Sequence, residues 1–154
     1  MKKSLAFIIL VFIVFSCKNQ SQSEKLDNGE NVNYGDNPKA GHFADVNGIK
    51  LYYETYGSGE PLVMLHGNGG SINAFRKQIP FFRKYYQVIA IDSRLQGKSG
   101  GSPDQISYIQ MASDFCALLD QLNIKSAYVL GWSDGGIDGI LMALNCPDRV
   151  KKLA

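Results

Sequence analysis

Hydrophobic and polar side chains divide this chain into three stretches of different texture. From Leu5 to Phe15 eleven successive residues are apolar. Residues 18–41, "KNQSQSEKLDNGENVNYGDNPKAG", are mostly Asn, Ser, Gln, Gly and charged, with Leu26 and Val32 almost the only aliphatics. From His42 onward, short apolar runs alternate with polar turns in the manner of a packed domain.

In that third stretch "FADVNGIKLYYETYG" holds two strand-like runs around Asn47-Gly48, a dipeptide suited to a tight hairpin. "PLVMLHG" is a short buried strand entering a glycine-rich turn, and "INAFRKQIPFFRKYY" predicts a helix with Pro80 near or beyond its end. "QVIAID" is a further buried strand. Ile106, Ile109, Ala112, Phe115, Cys116, Leu118, Leu119 and Leu122 recur at helical spacing, which predicts an amphipathic helix over residues 104–122. "AYVLGW" then predicts a strand, and "DGGIDGILMALNC" a helix stopped by Pro147. Alternating strands and helices imply right-handed crossovers, hence an α/β fold with a mostly parallel sheet covered by helices on both faces.

The other two stretches are set apart from this domain. A membrane-spanning helix needs about 20 apolar residues, so the run behind Lys2 and Lys3 matches a signal-peptide core instead. Val14-Phe15-Ser16-Cys17 resembles the lipobox of bacterial lipoproteins, which implies cleavage before Cys17, a lipid on that cysteine and a membrane-anchored protein in the bacterial cell envelope, periplasmic or surface-facing. A plain signal peptide with an incidental cysteine is the alternative. The expected organisation is a lipoprotein signal peptide over residues 1–16, a flexible tether over 17–41 that cannot bury enough apolar surface to order itself, and a domain over 42–154.

Composition adds exclusions. The 154 residues are 45% hydrophobic and 19% charged, and the formal charge of +2 is accounted for by Lys2 and Lys3. Such a balance does not suggest a nucleic-acid binder. "HGNGG" lacks the lysine and spacing of a phosphate-binding loop, and no motif identifies a metal site or a cofactor. Of three cysteines, Cys116 falls on an apolar helix stripe and Cys146 at a helix end, so both are expected as unpaired thiols in or near the core.

Candidate chemistry centres on Gly131-Trp132-Ser133-Asp134-Gly135. A Gly-x-Ser-x-Gly pentapeptide between a buried strand and a helix is the context of a nucleophile elbow, where a tight turn raises the serine hydroxyl above the sheet and brings the next backbone N–H beside it. Taken alone, the same residues also suit an ordinary helix start with Ser133 as N-cap.

Two more motifs stand at neighbouring strand ends. "LHGNGGS" (65–71) and "DSRLQGKS" (92–99), together with the elbow, resemble the α/β-hydrolase superfamily over residues 42–154. Within it, "GWSDGGI" is similar to valacyclovir-hydrolase-like esterases. Leu95 departs from the glycine usual in the family's Asp-x-Arg-Gly-x-Gly-x-Ser loop. The resemblance implies that Ser133 is the nucleophile of an acyl-enzyme mechanism on a small-molecule ester, thioester or lactone, and that the N–H groups of Asn68 and Asp134 form the oxyanion hole. It further implies that His66, Gly67, Gly131 and Gly135 shape the site, that Asp92 and Arg94 brace their loop, and that no cofactor is used.

The resemblance also exposes a gap. The family's triad runs Ser, then Asp or Glu, then His along the chain, and no histidine follows His66. The expectation is therefore the front part of a serine hydrolase, truncated after the nucleophile helix and lacking the triad acid and histidine, with the fifth strand as an open edge. A non-catalytic envelope lipoprotein that uses the partial fold as a binding module is the alternative.

Overall fold

The computed structural model describes residues 32–154, so the expected signal peptide, Cys17 and most of the expected tether lie outside the described residues. The hairpin forms where the sequence places it. Strands β1 (Gly41–Val46) and β2 (Ile49–Tyr56) pair antiparallel with Val46 opposite Ile49. Asn47 and Gly48, both at positive φ (44° and 78°), make the turn between them. Two left-handed central residues are what a two-residue hairpin of this twist requires.

Strands β3 (Glu60–Leu65), β4 (Tyr86–Ile91), β5 (Ala127–Gly131) and β6 (Val150–Leu153) complete one six-stranded sheet in the order β1-β2-β4-β3-β5-β6. The β4–β3, β3–β5 and β5–β6 pairs are parallel, whereas β2 meets β4 antiparallel. Helices α2 (Tyr108–Gln121) and α3 (Asp134–Asn145) belong to one face, where Leu51, Val63, Leu65, Ile89, Ile91 and Val129 meet Phe115, Leu118 and Met142. On the other face Leu62, Met64, Val88 and Ala90 pack with Tyr34, Ile72, Phe75 and Ile79. Central strands buried on both sides explain the near-continuous apolar runs "PLVML" and "QVIAI".

Five expectations are corrected. The predicted helix over residues 72–86 is broken into a 3-10 turn, Ile72–Phe75, and a four-residue α1, Ile79–Phe82. Pro80 lies in the first turn of α1 and not at its end: its missing N–H is harmless there but would have interrupted a longer helix. Helix α2 begins at Tyr108 and not at residue 104, because Ser107 caps it by accepting the Gln110 N–H while Ile106 is extended. Ile106 and Ile109 consequently stay exposed.

The tether is corrected in its last part, since Tyr34 and Ala40 are buried against the sheet and residues 35 and 37 are hydrogen-bonded to Glu54. Strand β5 is no edge among the described residues: the chain continues past α3 into β6, which pairs with it in parallel and forms the edge instead. Finally, Cys116 and Cys146 are joined in a disulfide, with Cα atoms 6.8 Å apart. Periodicity places each sulfur on its own helix, but only the packing of α2 on α3 brings the two together.

Candidate active site

At the end of β5 the chain turns sharply into α3. Ser133 stands at the bend with φ 55° and ψ −117°, a strained conformation for a residue with a side chain, and it is exposed. Its carbonyl accepts the Gly136 N–H at 2.8 Å, and Trp132 N–H donates to Leu65 O at 2.9 Å, which fastens the bend to the end of β3. Small residues permit this approach. A Cβ on Gly135 would lie 2.0 Å from Leu65 O, and one on Gly131 would lie 2.3 Å from Gly135 O. Ser133 is not a side-chain cap for α3, so the plain N-cap reading does not describe it.

The loop after β3 lies directly against this bend. A Cβ on Gly67 would meet Ser133 Cβ at 3.1 Å, and Gly70 N–H closes the loop onto Gly67 O at 3.0 Å. Asn68 and Asp134 line the same cavity of about 240 Å³, together with Gln96, Ile106, Ser107, Tyr108 and Met111. Neither the Asn68 nor the Asp134 backbone N–H has a hydrogen-bond partner among the described residues. Two free N–H groups beside a raised hydroxyl can stabilise an oxyanion formed by its attack on a carbonyl.

His66 is buried and fully engaged. Its Nε2 accepts the Ser93 N–H at 3.0 Å, so its proton resides on Nδ1, which donates to Gly67 O at 2.8 Å. No ring nitrogen is left for Ser133. His42, on β1 and stacked near Tyr53, is separated from β5 by three strands. Among the described residues there is thus no histidine placed to deprotonate Ser133.

The loop after β4 supports the same centre. Asp92 accepts the Ile72 and Lys98 N–H groups at 2.7 and 2.8 Å; burial pushes its carboxyl up, opposed by those two donors. Arg94 is buried and reaches α2, where Nε and Nη2 each donate to Asp114 at 2.8 Å, and Nη2 also donates to the carbonyl of Asn47 in the hairpin turn at 3.2 Å. Leu95 adopts φ 62°, the left-handed geometry that a glycine would take without strain.

Sequence reasoning does not single out three further residues of this region. Gln96 Oε1 accepts the Gly69 N–H at 2.6 Å and so ties the loop after β4 to the loop bearing Asn68. Tyr108 stands beside Asp134; burial, then that carboxylate, pushes its phenol up. Asp138, one turn along α3, is 1% exposed, and burial followed by the charges of Asp134 and Asp114 pushes its carboxyl up to about 7. An aspartate inside the apolar run "GIDGILMAL" is the only hint the sequence offers for it. No cluster of three or more His, Cys, Asp or Glu among the described residues could hold a metal ion.

Residues 60–154 match the model of a family described as alpha/beta hydrolase fold. Among relatives, RutD of Azorhizobium caulinodans, whose name gives it provisionally as a carbamate hydrolase, is 38% identical over 67% of this chain and 39% of its own length. Among solved structures, the epoxide hydrolase CorEH superposes with a TM-score of 0.71 at 34% identity, covering 73% of this chain and 40% of its own. Est816, an N-acyl homoserine lactone degrading enzyme, superposes with a TM-score of 0.69 at 33% identity, covering 73% and 43%. The chain thus spans about two fifths of the length of these proteins.

Proposed function

The chain belongs to the alpha/beta hydrolase fold family, and from that membership we propose that it supplies the nucleophile and oxyanion hole of a serine hydrolase acting on a small ester, thioester or lactone. The observation that carries this reading is the strained, exposed Ser133 at the β5–α3 bend, with the Asp134 N–H next in the chain and the Asn68 N–H in the loop packed against the bend both without partners among the described residues. Attack of its hydroxyl on an acyl carbonyl forms a tetrahedral oxyanion held by Asn68 and Asp134; collapse expels the leaving group and leaves an acyl-serine, which water then hydrolyses. A serine at this place favours carbonyl substrates over epoxide opening, for which family members use an aspartate. The lactone-degrading relative fits that preference.

Because His66 is engaged and His42 is remote, the base is proposed to come from outside residues 32–154. A serine with its oxyanion donors but no base still retains part of its rate advantage over water. The test is hydrolysis of p-nitrophenyl acetate, with and without imidazole, by the parent chain and by Ser133→Ala. The expected result is slow turnover, stimulated by imidazole and lowered on the order of tenfold or more in the variant under identical buffer. Equal rates in the two proteins would overturn the reading.

Attachment to the cell envelope through Cys17 is proposed on the sequence alone, from Val14-Phe15-Ser16-Cys17 behind the apolar run.

A further inference from the structure

Helix α3, which begins right after Ser133, is weakly held by its own side chains. The residues it buries are Gly135, Asp138, Gly139 and Met142: two glycines, one acid and a single large apolar group. Leu141 adds partial packing against the core, while Ile137, Ile140 and Leu144 are exposed by 42%, 53% and 70%. Oδ1 of Asp138 is buried and has no hydrogen-bond partner among the described residues, which costs further stability at the same contact. To this sparse packing the chain adds a covalent tie, because Cys146 at the end of α3 is bonded to Cys116 on α2.

We propose that the Cys116–Cys146 disulfide is the clamp that keeps α3, and with it Ser133, seated on the domain, and that it is closed outside the reducing cytoplasm. The bond encloses β5, the elbow and all of α3 in one loop, with a sequence separation of 30. Its closure removes conformations from the unfolded chain and so supplements the sparse packing of α3. Both cysteines are only half-buried, so an oxidant can reach them. In the step itself, one thiolate attacks the disulfide of an oxidised dithiol oxidoreductase to form a mixed disulfide, and the second displaces the enzyme's sulfur. Two protons and two electrons leave this chain, and the oxidoreductase departs as a dithiol. Such bonds persist in oxidising compartments and are rare in the cytosol. Cysteine count agrees: pairing Cys116 with Cys146 leaves Cys17 as the odd one of three, the cysteine whose thiol a lipid anchor would consume.

This proposal is independent of the chemistry at Ser133. The test uses the full chain with its own N-terminus, produced in bacteria, acid-quenched, and alkylated with iodoacetamide in guanidinium so that folding does not affect access. In the envelope fraction, Cys116 and Cys146 are expected to take label only after dithiothreitol; label on both without reductant overturns the proposal. The clamp is read by thermal melting followed at Trp132, the sole tryptophan, which adjoins Ser133. Dithiothreitol is expected to lower the midpoint on the order of 10 °C, and a Cys116→Ser, Cys146→Ser double variant to melt like the reduced protein. Coincident melts of oxidised and reduced protein refute the clamp.

Discussion

Asp138 shows how much one buried carboxyl can change the behaviour of a helix. Its carboxyl is pushed up to about 7 by burial and by the negative charges of Asp134 and Asp114. The unfolded chain therefore releases this proton near the usual aspartate range while the folded chain keeps it, so between about pH 4 and pH 7 the folded state binds more protons and stability falls as pH rises. Above pH 7 both states are ionised and the loss levels off. Asp138→Asn removes the titration, so its stability relative to the parent is expected to be near zero at pH 4 and to grow in favour of asparagine by a few kcal/mol at pH 7.5. Urea unfolding at both pH values checks this, and a pH-independent difference would contradict it. Comparing the two proteins cancels Asp92, whose carboxyl burial also pushes up. Asp138 was not legible beforehand because its burial is set by α2, a neighbour that no local pattern around residue 138 names. The sharp bend at Ser133 between β5 and α3 was legible because glycine spacing at a strand end encodes the backbone geometry itself.

At the scale of elements, the segment before β1 shows where composition misleads. Residues 34–40 are polar enough to read as tether, yet one buried side chain of β2 fixes them. Glu54 is fully buried and accepts four hydrogen bonds: from Gly35 N–H (2.9 Å), Asn37 N–H (2.8 Å), Tyr52 Oη (2.8 Å) and Tyr56 Oη (2.7 Å). The carboxylate organises the segment from the sheet side, and burial together with Glu54 pushes both phenols up. Glu54→Gln places an NH₂ group against two of these donors. Because hydrogen bonds to charged groups are worth about 1.5–3 kcal/mol each, a loss of about 3 kcal/mol in urea unfolding is expected, with new protease cleavage within residues 34–40. Unchanged proteolysis there would show that the segment is held by something other than Glu54. The same limit on local reading explains the broken helix after β3, where apolar spacing continues through Pro80 but the backbone cannot. The Asn47-Gly48 hairpin was readable because its turn demands two left-handed residues and the sequence supplies suitable ones.

At the scale of the whole molecule, one end of the sheet is covered, and among the described residues the other exposes apolar side chains. The β1–β2 end is closed by the hairpin, the packed 34–40 segment and the Arg94–Asp114 pair that ties the turn to α2. At the opposite end β6 is the edge strand, and α3 exposes Ile137, Ile140 and Leu144. A groove of about 420 Å³ there is lined by Leu62, Phe82, Tyr86, Tyr128, Leu130 and Leu153. A helix apolar on both sides is usually a covered helix, and the longer relatives have more chain with which to cover one. Whether the face is bare in this protein can be measured directly. Truncating exposed side chains changes stability by no more than about 0.5 kcal/mol, whereas removing buried ones costs about 2–5 kcal/mol each. Ile140→Ala and Leu144→Ala are therefore expected to leave the urea midpoint almost unchanged in the oxidised chain at low micromolar concentration. A loss above about 2 kcal/mol for either, especially one that grows with protein concentration, would mean that another surface covers α3 in solution, and the disulfide would then not be its principal hold.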